Sequence, residues 1–121
     1  MLRRAISILA LTACAALPAW ADDDVMAGYY GNTVVETGGT AETHLVYGQD
    51  HTFEMKVPQY GVDFKGSWAV NGTNLCRTFD APPPGLTNPL CTAAAAHKVG
   101  DTWTATSDGQ TRTLTLVQGV Q

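Results

Sequence analysis

The pair Asn71-Gly72 constrains this chain more than any other feature, because it sits between two alternating apolar segments, residues 62–70 and 73–79. Asn-Gly in that setting is a strong short-range hairpin signal: a two-residue type I′ turn needs positive φ at both central positions, and these residues tolerate it best. Folding about that turn predicts Val70 opposite Thr73, Trp68 opposite Leu75, Gly66 opposite Arg77 and Phe64 opposite Phe79, all on one face. Ser67 then opposes Cys76, and Lys65 opposes Thr78, on the other face.

The rest of the chain carries the same kind of pattern. Residues 25–30 read as the opening of a first strand, residues 32–37 and 43–47 as strands, and Gly38-Gly39 as the break between them. In residues 52–57, Phe53, Met55 and Val57 share one face and Thr52, Glu54 and Lys56 the other, the period-two pattern of a strand with one wet side. Gly48-Gln49-Asp50-His51 and Pro58-Gln59-Tyr60-Gly61 supply turns. Near the C-terminus Asp108-Gly109 is a second type I′ candidate, predicting Trp103 opposite Leu114 and Ala105 opposite Arg112.

Between the two hairpins, Pro82-Pro83-Pro84-Gly85 cannot join a ladder, so residues 80–90 form a surface excursion. Residues 89–98 stay open between two readings. One is a short helical turn before the last hairpin, capped by Asn88 with Pro89 at its first position; the other is an extended return strand. Short strands with turn chemistry every eight to twelve residues define an all-β fold: a small antiparallel meander curled into a barrel or sandwich.

Arg3-Arg4, an apolar run at residues 5–16 and the small-x-small site Ala19-Trp20-Ala21 mark residues 1–21 as a signal peptide, leaving residues 22–121 as a single β domain. The alternative is a lipobox, Leu11-Thr12-Ala13-Cys14, in which Cys14 carries a lipid anchor. The short apolar run before Cys14 and the Ala-x-Ala site favour ordinary cleavage, and both readings predict export. No apolar stretch after the leader is long enough to span a bilayer. Cys76 and Cys91, 15 positions apart, are then the even pair that an exported chain joins in a disulfide. Loss of Arg3 and Arg4 makes a chain of formal net charge −4 more acidic still, which argues against nucleic acid or anionic membrane as partners and is compatible with a basic protein. Asn71-Gly72-Thr73 also matches the N-glycosylation pattern, but beside a leader of bacterial appearance the turn accounts for it.

Chemistry-bearing residues are sparse. Arg77, on the face of Trp68, has two readings: a buried cation at the floor of a ligand cavity, or a cap whose stem packs on the core while its head meets water. The second is preferred, and Arg112 beside Trp103 carries the same pair of readings. His44, His51 and His97 have no spacing that demands a shared metal, so no metal or cofactor is expected. Ser67 and Ser107 lack a Gly-x-Ser-x-Gly elbow, both mature cysteines are committed to a bridge, and Glu54, Asp63 and Asp101 form no acid–base pair by spacing. A non-enzyme is the expectation.

Gly66-x-Trp68, a turn containing Gly72, Leu75-Cys76-x-Thr78, a Pro-rich loop, Cys91, Ala96-His97-Lys98-Val99-Gly100-Asp101-x-Trp103 and a closing Thr113-Leu114-Thr115-Leu116-Val117 together resemble a group of small exported bacterial proteins. The likeness covers the second half of the mature chain best. It implies an all-β exported domain with one disulfide, and no particular activity. More distantly, Gly66-Ser67-Trp68 with a facing Arg resembles the Gly-x-Trp and Arg pairing of lipocalin-like barrels, although there the Gly-x-Trp lies on the first strand. Two functions fit these expectations. One is a periplasmic binding or structural module that holds a small ligand or an envelope protein. The other is a proteinaceous inhibitor of a secreted hydrolase, using the disulfide-braced Pro-rich loop as a rigid insert.

Overall fold

The computed structural model describes residues 24–107 and 109–121, so the expected leader with its expected cleavage site, Cys14 and Asp108 lie outside the described residues. Eight strands follow in chain order: β1 (Thr33–Thr37), β2 (Thr43–Tyr47), β3 (Thr52–Val57), β4 (Val62–Asn71), β5 (Asn74–Phe79), β6 (Leu90–Ala93), β7 (Thr102–Ser107) and β8 (Gln110–Val117). They form one antiparallel sheet in the order β6-β5-β4-β3-β2-β1-β8-β7. The sheet curls into a nearly closed barrel. A single 3-10 turn, Pro58–Tyr60, separates β3 from β4: Pro58 starts it and Gly61, at φ 64°, ends it in the left-handed conformation glycine favours.

The central hairpin forms with the predicted faces but a different register. Asn71 pairs with Asn74, Val70 with Leu75, Trp68 with Arg77 and Gly66 with Phe79. The turn is therefore Gly72-Thr73, not Asn71-Gly72. Positive φ is needed only at Gly72 (63°), the pattern of a type II′ turn with glycine first, and Asn71 stays in the strand. Moving the turn by one residue shifts the pairing by two, which keeps every side chain on its face. Trp68, Val70, Leu75, Arg77 and Phe79 accordingly still point inward together, and all five are buried. What changes is the neighbour of Gly66, which is Phe79 rather than Arg77. The second hairpin has the predicted register, Trp103 opposite Leu114 and Ala105 opposite Arg112.

Two stretches differ from the sequence expectation. Residues 25–30 do not open a strand: they fold into successive turns, with the N–H groups of Ala27, Tyr29 and Asn32 donating to the carbonyls of Asp24, Met26 and Tyr29. The reason is packing, since Met26 is fully buried and Tyr29 is nearly so, three positions apart on one side of the turns. Tyr29 Oη donates to the Ala95 carbonyl (2.8 Å), and Gly28 lies so close to the His97 carbonyl that a Cβ would fall 2.0 Å from it. The N-terminal turns thus wedge against the segment joining β6 to β7.

The helical reading of the residues before the last hairpin is also corrected. Leu90–Ala93 is strand β6, paired with β5 so that Cys91 lies directly opposite Cys76, and Ala94 continues the pairing by donating to the Thr73 carbonyl. A helix here would forfeit those bonds and leave β5 an open edge. Cys76 and Cys91 are joined in a disulfide. Closing a loop of 15 residues is worth about 3 kcal/mol in the chain-entropy model. The double change Cys76→Ser with Cys91→Ser should therefore lower the thermal midpoint by about 10–20 °C under oxidising conditions. A midpoint equal to the parent's would mean that the bridge constrains nothing.

Candidate functional site

The polar centre of the barrel is Arg77, which β5 directs inward between Leu75 and Phe79 and which is only 8% exposed. Its guanidinium is held by three acceptors: Nε donates to Tyr47 Oη (2.7 Å), Nη1 to the Leu90 carbonyl (3.3 Å) and Nη2 to Thr92 Oγ1 (3.0 Å). The guanidinium carbon also stands 5.8 Å from the centre of the Tyr47 ring. Among the described residues no carboxylate pairs with it. The head is thus buried and held between β5, β2 and β6 by Tyr47, Leu90 and Thr92. Tyr47 and β6 were missed because they reach Arg77 from other strands, with no local spacing to reveal them.

Trp68, the cross-strand neighbour of Arg77, is 2% exposed and donates its indole N–H to the Gly48 carbonyl (2.9 Å). The His51 ring stacks on it at 4.1 Å, and Tyr47 meets it edge-on at 6.4 Å. His51 adopts φ 68° to do this, with Nδ1 donating to the Trp68 carbonyl (3.1 Å) while its own carbonyl accepts from the Trp68 N–H (2.8 Å). The preceding Asp50 carboxylate accepts from the Thr52 hydroxyl and N–H, which holds its pKa below the usual carboxylate value. The polar 48–51 connection thus fixes the position of the buried tryptophan.

Trp103 has a parallel arrangement. The His97 ring stacks on it at 3.5 Å, and His97 Nδ1 lies 3.3 Å from Asp101 Oδ2, which also accepts from the Lys98 N–H. Those contacts lower the Asp101 pKa, the Lys98 N–H contributing most. Tyr29 ties the two aromatic groups together, meeting Tyr47 at 5.7 Å and Trp103 at 6.4 Å. Arg112 stands apart. It pairs with Glu36 (3.0 Å) and Gln110 and lies against Gly39, while the Trp103 face that the sequence offered it is taken by His97. Of the four residues singled out, the structure therefore joins Trp68, Arg77 and, through Tyr29, Trp103.

Burial pushes the Tyr29 phenol well above its usual pKa of 10.0, the neighbouring Tyr47 adding to the rise and Arg77 offsetting part of it. The unfolded chain loses this proton near pH 10 while the folded chain keeps it, so the unfolded state binds fewer protons and stability declines as pH rises above 10. Urea melts at pH 9, 10 and 11 should show that decline in the parent. It should be shallower in Tyr29→Phe, by up to about 1.4 kcal/mol per pH unit; parallel slopes would show that Tyr29 ionises as freely in the fold as outside it.

Most of the other buried side chains are apolar, and Thr33 is buried with its hydroxyl donating to the Gly119 carbonyl (2.7 Å). Phe53 and Phe79 meet edge to face at 5.0 Å over Gly66, and Leu45, Val34, Leu114, Leu116 and Met26 close the rest. A surface depression of about 410 Å³ lies on the outside of β3 and β4, rimmed by Glu54, Lys65 and Asp80. His44 pairs with Glu42 (3.1 Å), and among the described residues no group of three His, Cys, Asp or Glu side chains gathers to hold a metal. No helix among the described residues is long and apolar enough to cross a membrane.

The 80–89 loop is exposed along most of its length yet anchored at both ends. Asp80 donates its N–H to the Lys65 carbonyl, Leu86 to the Pro83 carbonyl, and the Asn88 side chain bonds both the N–H (2.8 Å) and the carbonyl (3.0 Å) of Phe79. Leu86 tucks against the core. The sequence located this loop and its disulfide brace; the Asn88 clamp was missed, because an Asn before Pro reads first as a helix cap. No protein-family model matches the chain, and no curated protein or solved structure matches it.

Proposed function

We propose that this chain is an exported, non-catalytic binding module of the cell envelope, and that it engages a protein partner with its surface rather than carrying a small ligand inside. The observation that carries this is the contrast between a barrel interior lined by large buried side chains and a braced, exposed loop. Met26, Tyr29, Tyr47, Phe53 and Trp68 are buried where a carrier would hold its ligand, while Pro82 and Pro84 are exposed and Pro83 half-buried between pinned ends. A loop held in one conformation before binding loses little entropy on docking, so it suits recognition of another protein. The acidic chain favours a partner with a basic face.

The same loop supports a second reading, an inhibitor of a secreted hydrolase that inserts the Pro-rich segment into its target. One experiment separates them. The protein from Asp22 onward is used as bait in envelope extract, beside a variant carrying Pro82→Gly, Pro83→Ser and Pro84→Gly, and captured proteins and any small molecules are read by mass. A protein held by the parent and reduced about tenfold with the variant is expected; if it is a hydrolase whose activity falls on binding, the inhibitor reading holds. Equal capture by both baits, or a small molecule copurifying at one per chain, overturns surface recognition by the loop.

A further inference from the structure

We infer that the outer edge of β7 is a self-pairing surface, through which a second copy of this chain adds its own β7 in antiparallel order. Strand β7 pairs with β8 on one side only, and among the described residues its other edge makes no backbone hydrogen bond. The strand at the opposite end of the sheet, β6, is four residues long and carries the disulfide. In contrast β7 runs six residues, Thr-Trp-Thr-Ala-Thr-Ser, in an unbroken ladder with β8. It has no proline, no charge and no bulge, three of the devices by which edge strands are kept from pairing. In a chain of net charge −4, an edge without a charged side chain is also where two copies meet with least repulsion.

The pattern of the strand selects a second copy as its occupant. A two-fold axis through Thr104 keeps outward residues beside outward ones and sets Thr102 beside Thr106 of the second copy, and Thr104 beside its own equivalent. On the inward side Trp103 then lies beside Ala105 of the second copy, large against small. This is the self-complementary arrangement an isologous interface requires. Threonine pairs across strands are already a feature of this face: Thr102 Oγ1 bonds Thr115 Oγ1, and Thr106 Oγ1 bonds Thr111 Oγ1, each at 3.1 Å. The second copy repeats on the free edge the pairing that β8 makes on the other.

A six-residue edge is a small interface, so association should be weak and reversible, appearing between about 5 and 500 μM. Sedimentation velocity on the oxidised protein from Asp22 onward reads it directly, together with Thr104→Lys, which sets two cations on the axis, and Thr113→Lys, which places the same charge on the outward face of β8. Both positions are exposed, so both variants should fold. The expected result is a mass rising toward twice the monomer for the parent and for Thr113→Lys, with Thr104→Lys staying monomeric. Cysteine at position 104 (Thr104→Cys) should also cross-link to its equivalent about tenfold faster than Thr113→Cys, as adjacency on the axis demands. A parent that stays monomeric throughout, a Thr104→Lys variant that dimerises as the parent does, or loss of dimer in both lysine variants overturns the assignment.

Discussion

Gly66→Val should destabilise the fold by at least about 3 kcal/mol and lower the thermal midpoint by more than about 10 °C. Gly66 lies on the inward face of β4, opposite Phe53 on β3 and Phe79 on β5. The two phenyl rings meet over it at 5.0 Å because nothing stands between them. A Cβ at this position would fall 2.0 Å from the Thr78 carbonyl, 2.8 Å from Phe53 and 2.9 Å from the Phe79 Cα. Two of those three neighbours are backbone and cannot rotate away, so relief requires β5 to move off β4, with loss of ladder bonds beside the disulfide. For a domain of about 100 residues, whose whole stability is about 5–15 kcal/mol, that is a large share. Circular-dichroism melts of parent and variant measure it; a shift under about 3 °C would mean that the strands are not packed this closely.

Arg77→Ala should cost about 3–5 kcal/mol, and Arg77→Met distinctly less. Alanine empties the centre of the wall and strands three acceptors, Tyr47 Oη, the Leu90 carbonyl and Thr92 Oγ1, each of which received a hydrogen bond from the guanidinium. A buried acceptor left without a donor costs about 1–3 kcal/mol, and the cavity adds to it. Methionine strands the same acceptors but refills much of the volume, so the difference between the two variants isolates packing from hydrogen bonding. Chemical denaturation of the three proteins gives the ordering directly. If Arg77→Ala lies within about 1 kcal/mol of the parent, the guanidinium is not the clamp that ties β6 and β2 to β5.

These two residues also show what local pattern can and cannot convey. Alternation and turn residues placed nearly every strand, and the register about Asp108-Gly109 followed from them directly. About Asn71-Gly72 the same logic chose the wrong pair of turn residues, because a shift of two leaves all apolar side chains on the same face. Nothing local distinguishes the two registers; the packing of Phe79 against Gly66 does. Residues 25–30 misread for a related reason: Val-Met-Ala-Gly-Tyr-Tyr is strand-prone by composition, and only the close approach of Gly28 to His97 reveals a tight turn. For residues 90–93, the alanines that follow suggested a helix, yet the partner that forms β6 is β5, across the Pro-rich loop.

The site was legible to a similar depth. Trp68 and Arg77 are near one another in any register of the hairpin, so their association could be read at once. Tyr47, 30 positions before Arg77, and Glu36, 76 positions before Arg112, come from strands whose neighbours the sequence does not specify. The two histidine–tryptophan stacks belong to the same category. Each unites a strand tryptophan with a connection that the chain topology brings across, and neither leaves a spacing to search for.

The proposed role requires that the large buried side chains leave no ligand-sized cavity, and a titration of the native protein with the hydrophobic dye 1-anilinonaphthalene-8-sulfonate, read by dye emission and by tryptophan quenching, measures that most directly. With Met26, Tyr29 and Phe53 buried in the barrel, the dye should show no saturable site, and tryptophan emission, from Trp68 shielded by His51 and Tyr47 and from Trp103 stacked by His97, should stay unquenched. Saturable binding of one dye per chain with tryptophan quenching would show an open cavity, and the protein would then be a carrier rather than a surface-binding module.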